Sequence, residues 1–156
     1  MKKTLLSLLL LGASLFASSI EVKDGYARAT PPNLPNSAAF MSITNNSDKD
    51  VALVWAKSNV SNVAELHTHD MKDGVMKMYQ VPKIDIKANS TTTLQPGGFH
   101  IMLIDLIKKP LTSDQTVTLT LGFSNKEEMT LTIPVKTVMN GMNMNKMNMN
   151  HGNMKN

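Results

Sequence analysis

The 156-residue sequence contains no cysteine. This absence excludes disulfide bonds, cysteine nucleophiles and metal centres built on thiolates, including iron–sulfur clusters and ordinary blue-copper sites. Aromatic residues make up only 4% of the chain, which argues against a platform that stacks single-stranded nucleic acid. The formal charge of +4 includes two lysines near the N-terminus, in a segment predicted below to be a signal peptide. The net charge that remains without them is too small for a nucleic-acid-binding surface. We therefore expect no nucleic-acid partner.

The sequence also lacks an apolar run long enough to cross a bilayer, but its N-terminus has the order of a secretory signal. Two lysines open the chain, an apolar run covers 5–16, and small residues occupy 17–19. This run is shorter than the roughly 20 residues that a membrane span requires. We predict a signal peptide over 1–19 and no stable membrane insertion. The alternative, an uncleaved N-terminal anchor, is disfavoured by the length of the run.

The region that follows, 20–138, is predicted to form one all-β domain. Apolar residues alternate with Thr or Gly over 117–123, which is typical of a strand with one buried face. Eight β-like runs separated by turns indicate a sandwich or barrel. The predicted strands are Ile20–Ala29, Ala38–Thr44, Val51–Lys57, Val63–His69, Val75–Val81, Phe99–Leu106, Thr116–Phe123 and Met129–Val135.

The composition changes at Met139, after which methionine and asparagine dominate. Without β-branched or aromatic companions these residues cannot build a core, so a disordered tail is predicted over 139–156. Two interpretations stay open for this tail, a biased extension without a role or a flexible arm that catches metal ions. The candidate ligands in the tail are Met142, Met144, Met147, Met149 and His151.

Histidine and methionine recur at a spacing that indicates a metal site in the domain. Ten residues separate His67 from Met78, twenty-one residues separate Met78 from His100, and Met102 follows two positions later. Imidazole binds several first-row metals, whereas thioether sulfur is a soft donor that favours Cu(I) over zinc, calcium or magnesium. Because His100 and Met102 are two apart on a predicted strand, they share a face. The pattern predicts a copper site with a preference for Cu(I).

The register of one hairpin decides which histidine lies opposite Met78. A two-residue turn at Asp73–Gly74 pairs Met78 with His69, whereas a turn centred on Lys72–Asp73 pairs it with His67. The sequence leaves both registers open. His69 is therefore a second-rank ligand. Met76, which shares a strand face with Met78, is also of second rank, and Cu(II) would draw on His67, His69 and His151.

Four segments around these residues resemble the PCu(A)C family of periplasmic copper chaperones. They are Glu-Leu-His at 65–67, Gly-Val-Met-Lys-Met at 74–78, Pro-Gly-Gly-Phe-His-Ile-Met-Leu at 96–103 and Lys-Lys-Pro-Leu at 108–111, within a resemblance that covers about 22–135. The resemblance implies a cupredoxin-like Greek-key β-barrel, a periplasmic location and an exposed Cu(I) site. The implied ligands are His67, Met78, His100 and Met102.

The same resemblance implies that copper is delivered to a copper-accepting protein, such as a cytochrome c oxidase subunit or assembly factor. Two alternatives stay open. The protein could sequester copper without specific transfer, or it could be a metal-free β-sandwich interaction module whose methionines only pack. Enzymatic activity is not expected, because the sequence has no recognisable Ser-His-Asp arrangement and no phosphate-binding glycine loop.

Overall fold

The computed structural model describes residues 18–137. The predicted tail, Val138 and all but the last two residues of the predicted signal peptide lie outside the described residues. Every assigned element in the described range is a strand, which confirms the all-β prediction. The strands are β1 (Ile20–Arg28), β2 (Ser37–Asn45), β3 (Val51–Ser58), β4 (Ser61–Lys72), β5 (Val75–Gln80), β6 (Ile84–Ile86), β7 (Ser90–Leu94), β8 (His100–Leu106), β9 (Thr116–Phe123) and β10 (Glu128–Lys136).

All eight predicted strands are present, and most of their ends agree to within one residue. Two strands, β6 and β7, were not predicted. β6 has only three residues, and β7 is mostly Ser and Thr, so neither carries an apolar run. Both strands exist because they pair with longer neighbours, β6 with β3 and β7 with β2.

The strands follow the order β5-β4-β8-β2-β1-β10-β9-β3-β6, with β7 added beside β2. The described strand pairs are antiparallel except for β1 and β10, which run parallel at Ala27–Val135 and Arg28–Lys136. This one pair joins the layer that contains β4, β5 and β8 to the layer that contains β3 and β9. Among residues 18–137 no helix is both long and apolar enough to traverse a bilayer.

The core lies between these two layers and is filled by alternate residues of the strands. In β9, Val117, Leu119 and Leu121 are fully buried. Thr118 and Thr120 lie on the opposite face, where their hydroxyls contact threonines of β10 at 3.4 and 3.0 Å. The alternation in the sequence therefore correctly predicts which residues of this strand face the core. Each buried leucine contributes roughly 1.5–3 kcal/mol of burial free energy.

The turn between β4 and β5 sets the register that the sequence left open. Asp73 and Gly74 both have positive φ, 54° and 75°, as a two-residue type I′ turn requires. The turn pairs His69 with Met78. The register is therefore the one predicted for a turn at Asp73–Gly74, and the turn centred on Lys72–Asp73 does not occur.

Candidate metal centre

Three neighbouring strands bring the predicted ligands to one face of the sheet. β4 lies between β5 and β8. His69 of β4 lies opposite Met78 of β5, and His67 lies opposite His100 of β8. Paired residues on adjacent strands project to the same side, and so do residues two apart on one strand. All three histidines therefore share a face with Met78 and Met102.

The shortest contact in this group joins His100 and Met78. The Nε2 atom of His100 lies 3.2 Å from the Sδ atom of Met78. The other ring nitrogen, Nδ1, lies 3.0 Å from the carbonyl oxygen of Gly98, and a carbonyl can only accept, so Nδ1–H is the donor. In neutral His100, Nε2 then carries a lone pair that faces the lone pairs of sulfur. A soft cation would satisfy both atoms.

A hydrogen bond also orients the ring of His67, and it leaves the second ring nitrogen without a partner among the described residues. Its Nε2 lies 2.7 Å from a carboxylate oxygen of Glu65, so Nε2–H donates to that oxygen. Its Nδ1 is buried and has no hydrogen-bond partner among the described residues. An unsatisfied buried nitrogen is costly unless something binds it. The ring centroids of His67 and His100 are 5.7 Å apart.

The two second-rank candidates lie close to this group. The ring of His69 is 5.1 Å from that of His100, and its Nδ1 is 3.4 Å from the same Gly98 carbonyl. Met76 is largely exposed beside Met78. The structure therefore brings His69 and Met76 to the site, whereas the candidate tail ligands lie outside the described residues.

A cavity of about 430 Å³ opens beside these side chains. One wall consists of His69, Met76, Met78, His100 and Met102. The remaining lining residues come from the end of β1, from the segment between β1 and β2 and from β2 itself, and they include Arg28, Pro31, Leu34, Ala38 and Phe40. His100 is only 2% exposed while Met78 is 45% exposed. The donors therefore range from the buried floor of the cavity to its solvent-facing edge.

Burial lowers the pKa of His100 from the ordinary value of 6.5. The nearby charges of His69, His67 and Arg28 act in the same direction, and the hydrogen bond to Gly98 opposes them. The neutral imidazole, which is the form that binds metals, therefore persists at lower pH in the folded protein than in a free histidine.

This lowered pKa predicts the pH dependence of the metal-free protein. Below about pH 6.5 the unfolded chain binds a proton at His100 that the folded chain does not, so stability should fall as the pH falls from there towards the folded-state pKa. Above about pH 6.5 His100 is neutral in both the folded and the unfolded chain, so this loss of stability is absent. Urea unfolding between about pH 5 and pH 8 measures the slope. The His100→Asn variant should flatten it, and an unchanged slope in that variant would contradict the assignment.

Two features of the site were not predicted from the sequence. Glu65 stands two residues before His67 on the same face of β4, and this spacing could have identified it as a hydrogen-bond partner. The Arg28 and Phe40 side of the cavity lies far from the ligands in sequence and carries no local signal. Within residues 18–137, no three His, Asp or Glu side chains come together in a way that could hold a metal ion by themselves.

The fold is that of a PCuAC domain, which confirms the cupredoxin-like architecture implied by the resemblance. A copper-bound PCuAC domain from PmoF2 superposes with a TM-score of 0.65 at 21% identity, over 78% of this chain and 95% of that domain. DR1885 from Deinococcus radiodurans is more similar in sequence. Its apo solution structure has 30% identity and a TM-score of 0.60 over 89% of this chain and 93% of that chain. Its Cu(I) form has 33% identity and a TM-score of 0.57 over 78% and 82%.

Two further matches show the family to which this chain belongs. The family model described as "Putative lipoprotein LpqE-like" matches residues 20–135. A relative from Leifsonia xyli subsp. xyli, "Putative lipoprotein Lxx21020", is 32% identical over 121 residues, which are 77% of this chain and 71% of the relative. The chain therefore belongs to the LpqE-like family.

Proposed function

We propose that this protein is an exported, periplasmic copper chaperone that captures Cu(I) and hands it to a copper-accepting protein. The observation that carries the proposal is the convergence of His100 Nε2 and Met78 Sδ at 3.2 Å. Two relatives with the same fold support it, since the PmoF2 domain is copper-bound and DR1885 has a Cu(I) form. The copper ion is the cargo of the protein.

The proposed ligands are His67, Met78, His100 and Met102. Two imidazoles and two thioethers form a neutral, soft donor set that suits Cu(I). Thioethers do not form disulfides, so they keep their donor capacity in an oxidising compartment where thiols would be lost. We choose His67 over His69 as the proposed ligand because the buried Nδ1 of His67 has no hydrogen-bond partner among the described residues.

His69 stays a second-rank ligand in this proposal. It lies opposite Met78 and lines the cavity, so it could join or replace His67 when copper is oxidised. Cu(II) prefers imidazole to thioether, and we propose that His67, His69 and His151 contribute to its binding. A contribution from His151 and the tail methionines is proposed in addition, since tethered soft ligands would have a high local concentration near the site.

Transfer requires that an acceptor can reach the metal, and the exposed edge of the site supports this requirement. Met78 and Met76 are 45% and 57% exposed, so an incoming thiolate could displace a thioether before the imidazoles release the ion. Because thiolate is the stronger donor for Cu(I), the ion should move onward. An acceptor of this chemistry would be a cytochrome c oxidase subunit or an assembly factor.

A transfer experiment distinguishes delivery from sequestration. The protein carrying one equivalent of Cu(I) is mixed without oxygen with a peptide that presents two cysteines, and the copper content of each is followed over time. We expect copper to move to the peptide at a rate that rises with peptide concentration, since direct ligand exchange forms a mixed intermediate. Retention of copper on the protein would favour sequestration. Failure to load the protein at all would favour a metal-free interaction module.

A further inference from the structure

Two basic side chains, Arg28 and Lys136, lie side by side, and Arg28 lines the ligand cavity. Arg28 of β1 pairs with Lys136 of β10 in the parallel register, so both side chains project to the same side of the sheet. Both residues are exposed. Neither forms a salt bridge with a residue between 18 and 137. Two like charges are therefore held together without a carboxylate to neutralise them.

Aromatic rings hold both cations in place. The guanidinium carbon of Arg28 lies 5.6 Å from the centre of the Phe40 ring. The Nζ atom of Lys136 lies 5.3 Å from the centre of the Tyr26 ring. These two rings are 5.2 Å apart, and the Phe40 ring is 6.2 Å from the ring of His100. Because a cation is attracted to an aromatic face, the basic pair has a defined position relative to the copper ligands.

The charge of Arg28 is not balanced by any group in the cavity. Among the described residues, Arg28 is the only permanently charged side chain that lines this cavity, and the proposed donors are neutral. Residues 28–31 also line a second cavity, which has no acidic residue in its described lining. Burial is the main cause of the lowered pKa of His100, and the charge of Arg28 adds to it. An anionic group that approaches from this side therefore meets an attractive potential.

The proposed transfer brings negative charge to this place. Cysteines bind Cu(I) as thiolates and release their protons to solvent, so Cu(I) held by two thiolates is an anion. Arg28 lies where that charge develops. Lys136 does not line the ligand cavity, so the group that it contacts must lie outside the pair of cysteines. A carboxylate next to the cysteines has the charge and the position for this contact.

We propose that Arg28 and Lys136 form the docking point for an acidic segment of the copper acceptor. Carboxylates beside the acceptor's cysteines contact the basic pair, and the thiols then face the exposed thioethers of Met76 and Met78. Arginine binds a carboxylate through two parallel hydrogen bonds, which fixes the orientation of the segment as well as its position. This inference rests on the proposed function, since it names the chemistry of the partner for the same site.

An anionic lipid surface is the alternative occupant, and the observations favour a protein. Basic segments that bind anionic lipids usually present roughly four to eight positive charges, whereas Arg28 and Lys136 supply one each. Arg28 also lines a concave cavity that contains the candidate copper ligands. A protein segment can enter such a cavity beside the metal, whereas a flat lipid surface cannot.

Copper transfer to two peptides tests the docking. Each peptide has two cysteines, which are flanked by aspartates in one peptide and by asparagines in the other. The protein carrying one equivalent of Cu(I) is mixed with each peptide without oxygen, and the initial transfer rates are compared as a ratio. Neighbouring aspartates also change the pKa of the thiols, but they do so equally for every protein variant. We expect the ratio to fall about tenfold when both basic charges are removed, as for electrostatically steered association at low ionic strength.

Three variants assign this ratio to the basic pair. Arg28→Gln with Lys136→Gln removes both charges and should give the tenfold loss. Arg28→Lys with Lys136→Arg keeps both charges and should stay within about threefold of the parent. The matched control is Lys49→Gln with Lys57→Gln, because Lys57 also lies over an aromatic ring, Trp55, at 5.3 Å, but on the other layer. The ratio in this control should stay within about twofold of the parent.

The outcomes separate the inference from the proposed function. An unchanged ratio in Arg28→Gln with Lys136→Gln would overturn the inference, and so would an equal loss in the lysine control, since net charge alone would then explain the effect. Binding of the parent to phosphatidylglycerol vesicles, lost in the first variant while the peptide ratio is unchanged, would assign the pair to a lipid surface. In each of these cases, transfer to the asparagine peptide leaves the proposed function standing. No transfer from the parent to either peptide would overturn both.

Discussion

Replacing both His100 and Met102, by His100→Asn and Met102→Leu, is expected to lower the affinity for Cu(I) at least about 100-fold. The double variant removes one nitrogen and one sulfur from the four proposed donors. Loss of groups that only orient a metal ligand already lowers affinity about 10–100-fold, so loss of two ligands should cost more. Competition with a chromophoric Cu(I) chelator under anaerobic conditions measures the difference.

The design of this variant separates ligation from folding. An asparagine amide can still donate to the Gly98 carbonyl that accepts from His100, and leucine keeps the volume of Met102. Met129→Leu is the matched control, because Met129 lies opposite Leu121 on the β9–β10 hairpin and is no part of the proposed site. The copper-free double variant should unfold at a normal temperature, which shows that it is folded. If its Cu(I) affinity is then within about threefold of the parent's, His100 and Met102 are ruled out as ligands.

Gly122→Ala is expected to destabilise the protein by about 3 kcal/mol, at the upper end of the usual cost of overpacking. Gly122 lies within β9 beside Trp55 of β3. A Cβ atom at this position would stand 1.9 Å from Cε2 of the Trp55 indole and 2.2 Å from its Nε1. A glycine inside a strand often marks such a close approach, and the indole would have to move. Urea unfolding measures the free-energy difference.

A double-mutant cycle ties this cost to the indole. With Trp55→Leu already in place, the added Cβ has space, so Gly122→Ala should cost less than about 1 kcal/mol. Copper affinity should stay unchanged in all three variants, since neither residue lines the ligand cavity. Additive effects of the two substitutions would show that the close approach of glycine and indole is not the cause.

The fold was largely predictable from the sequence, because burial of one strand face leaves a visible alternation. Val117, Leu119 and Leu121 carry that signal, and their strand was located to the residue. β6 and β7 carry no such signal, because both are short and depend on hydrogen bonds to longer neighbours. Strand pairing is a property of the whole sheet, and local composition does not encode it.

Candidate ligands could be proposed from the sequence, but their geometry could not. Residue types and spacing pointed to His67, Met78, His100 and Met102, and the structure places all four around one face. The choice between His67 and His69 opposite Met78 depended on the turn, where the positive φ of Asp73 and Gly74 decides the register. The Glu65–His67 contact joins residues two apart on one strand, so their spacing could have revealed it. The Arg28 side of the cavity is a tertiary feature that a strand pattern does not reveal.

The measurement that tests the central claim most directly is a Cu(I) titration of the full chain followed by the methyl signals of its methionines. We expect the Met78 and Met102 methyls to shift together and to reach their final positions at one equivalent of copper. The Met41 and Met129 methyls, which lie in the core and on the β9–β10 hairpin, should not move. If Met78 and Met102 stay in place while only tail methyls shift, or if no methyl shifts, the folded domain does not hold the copper site.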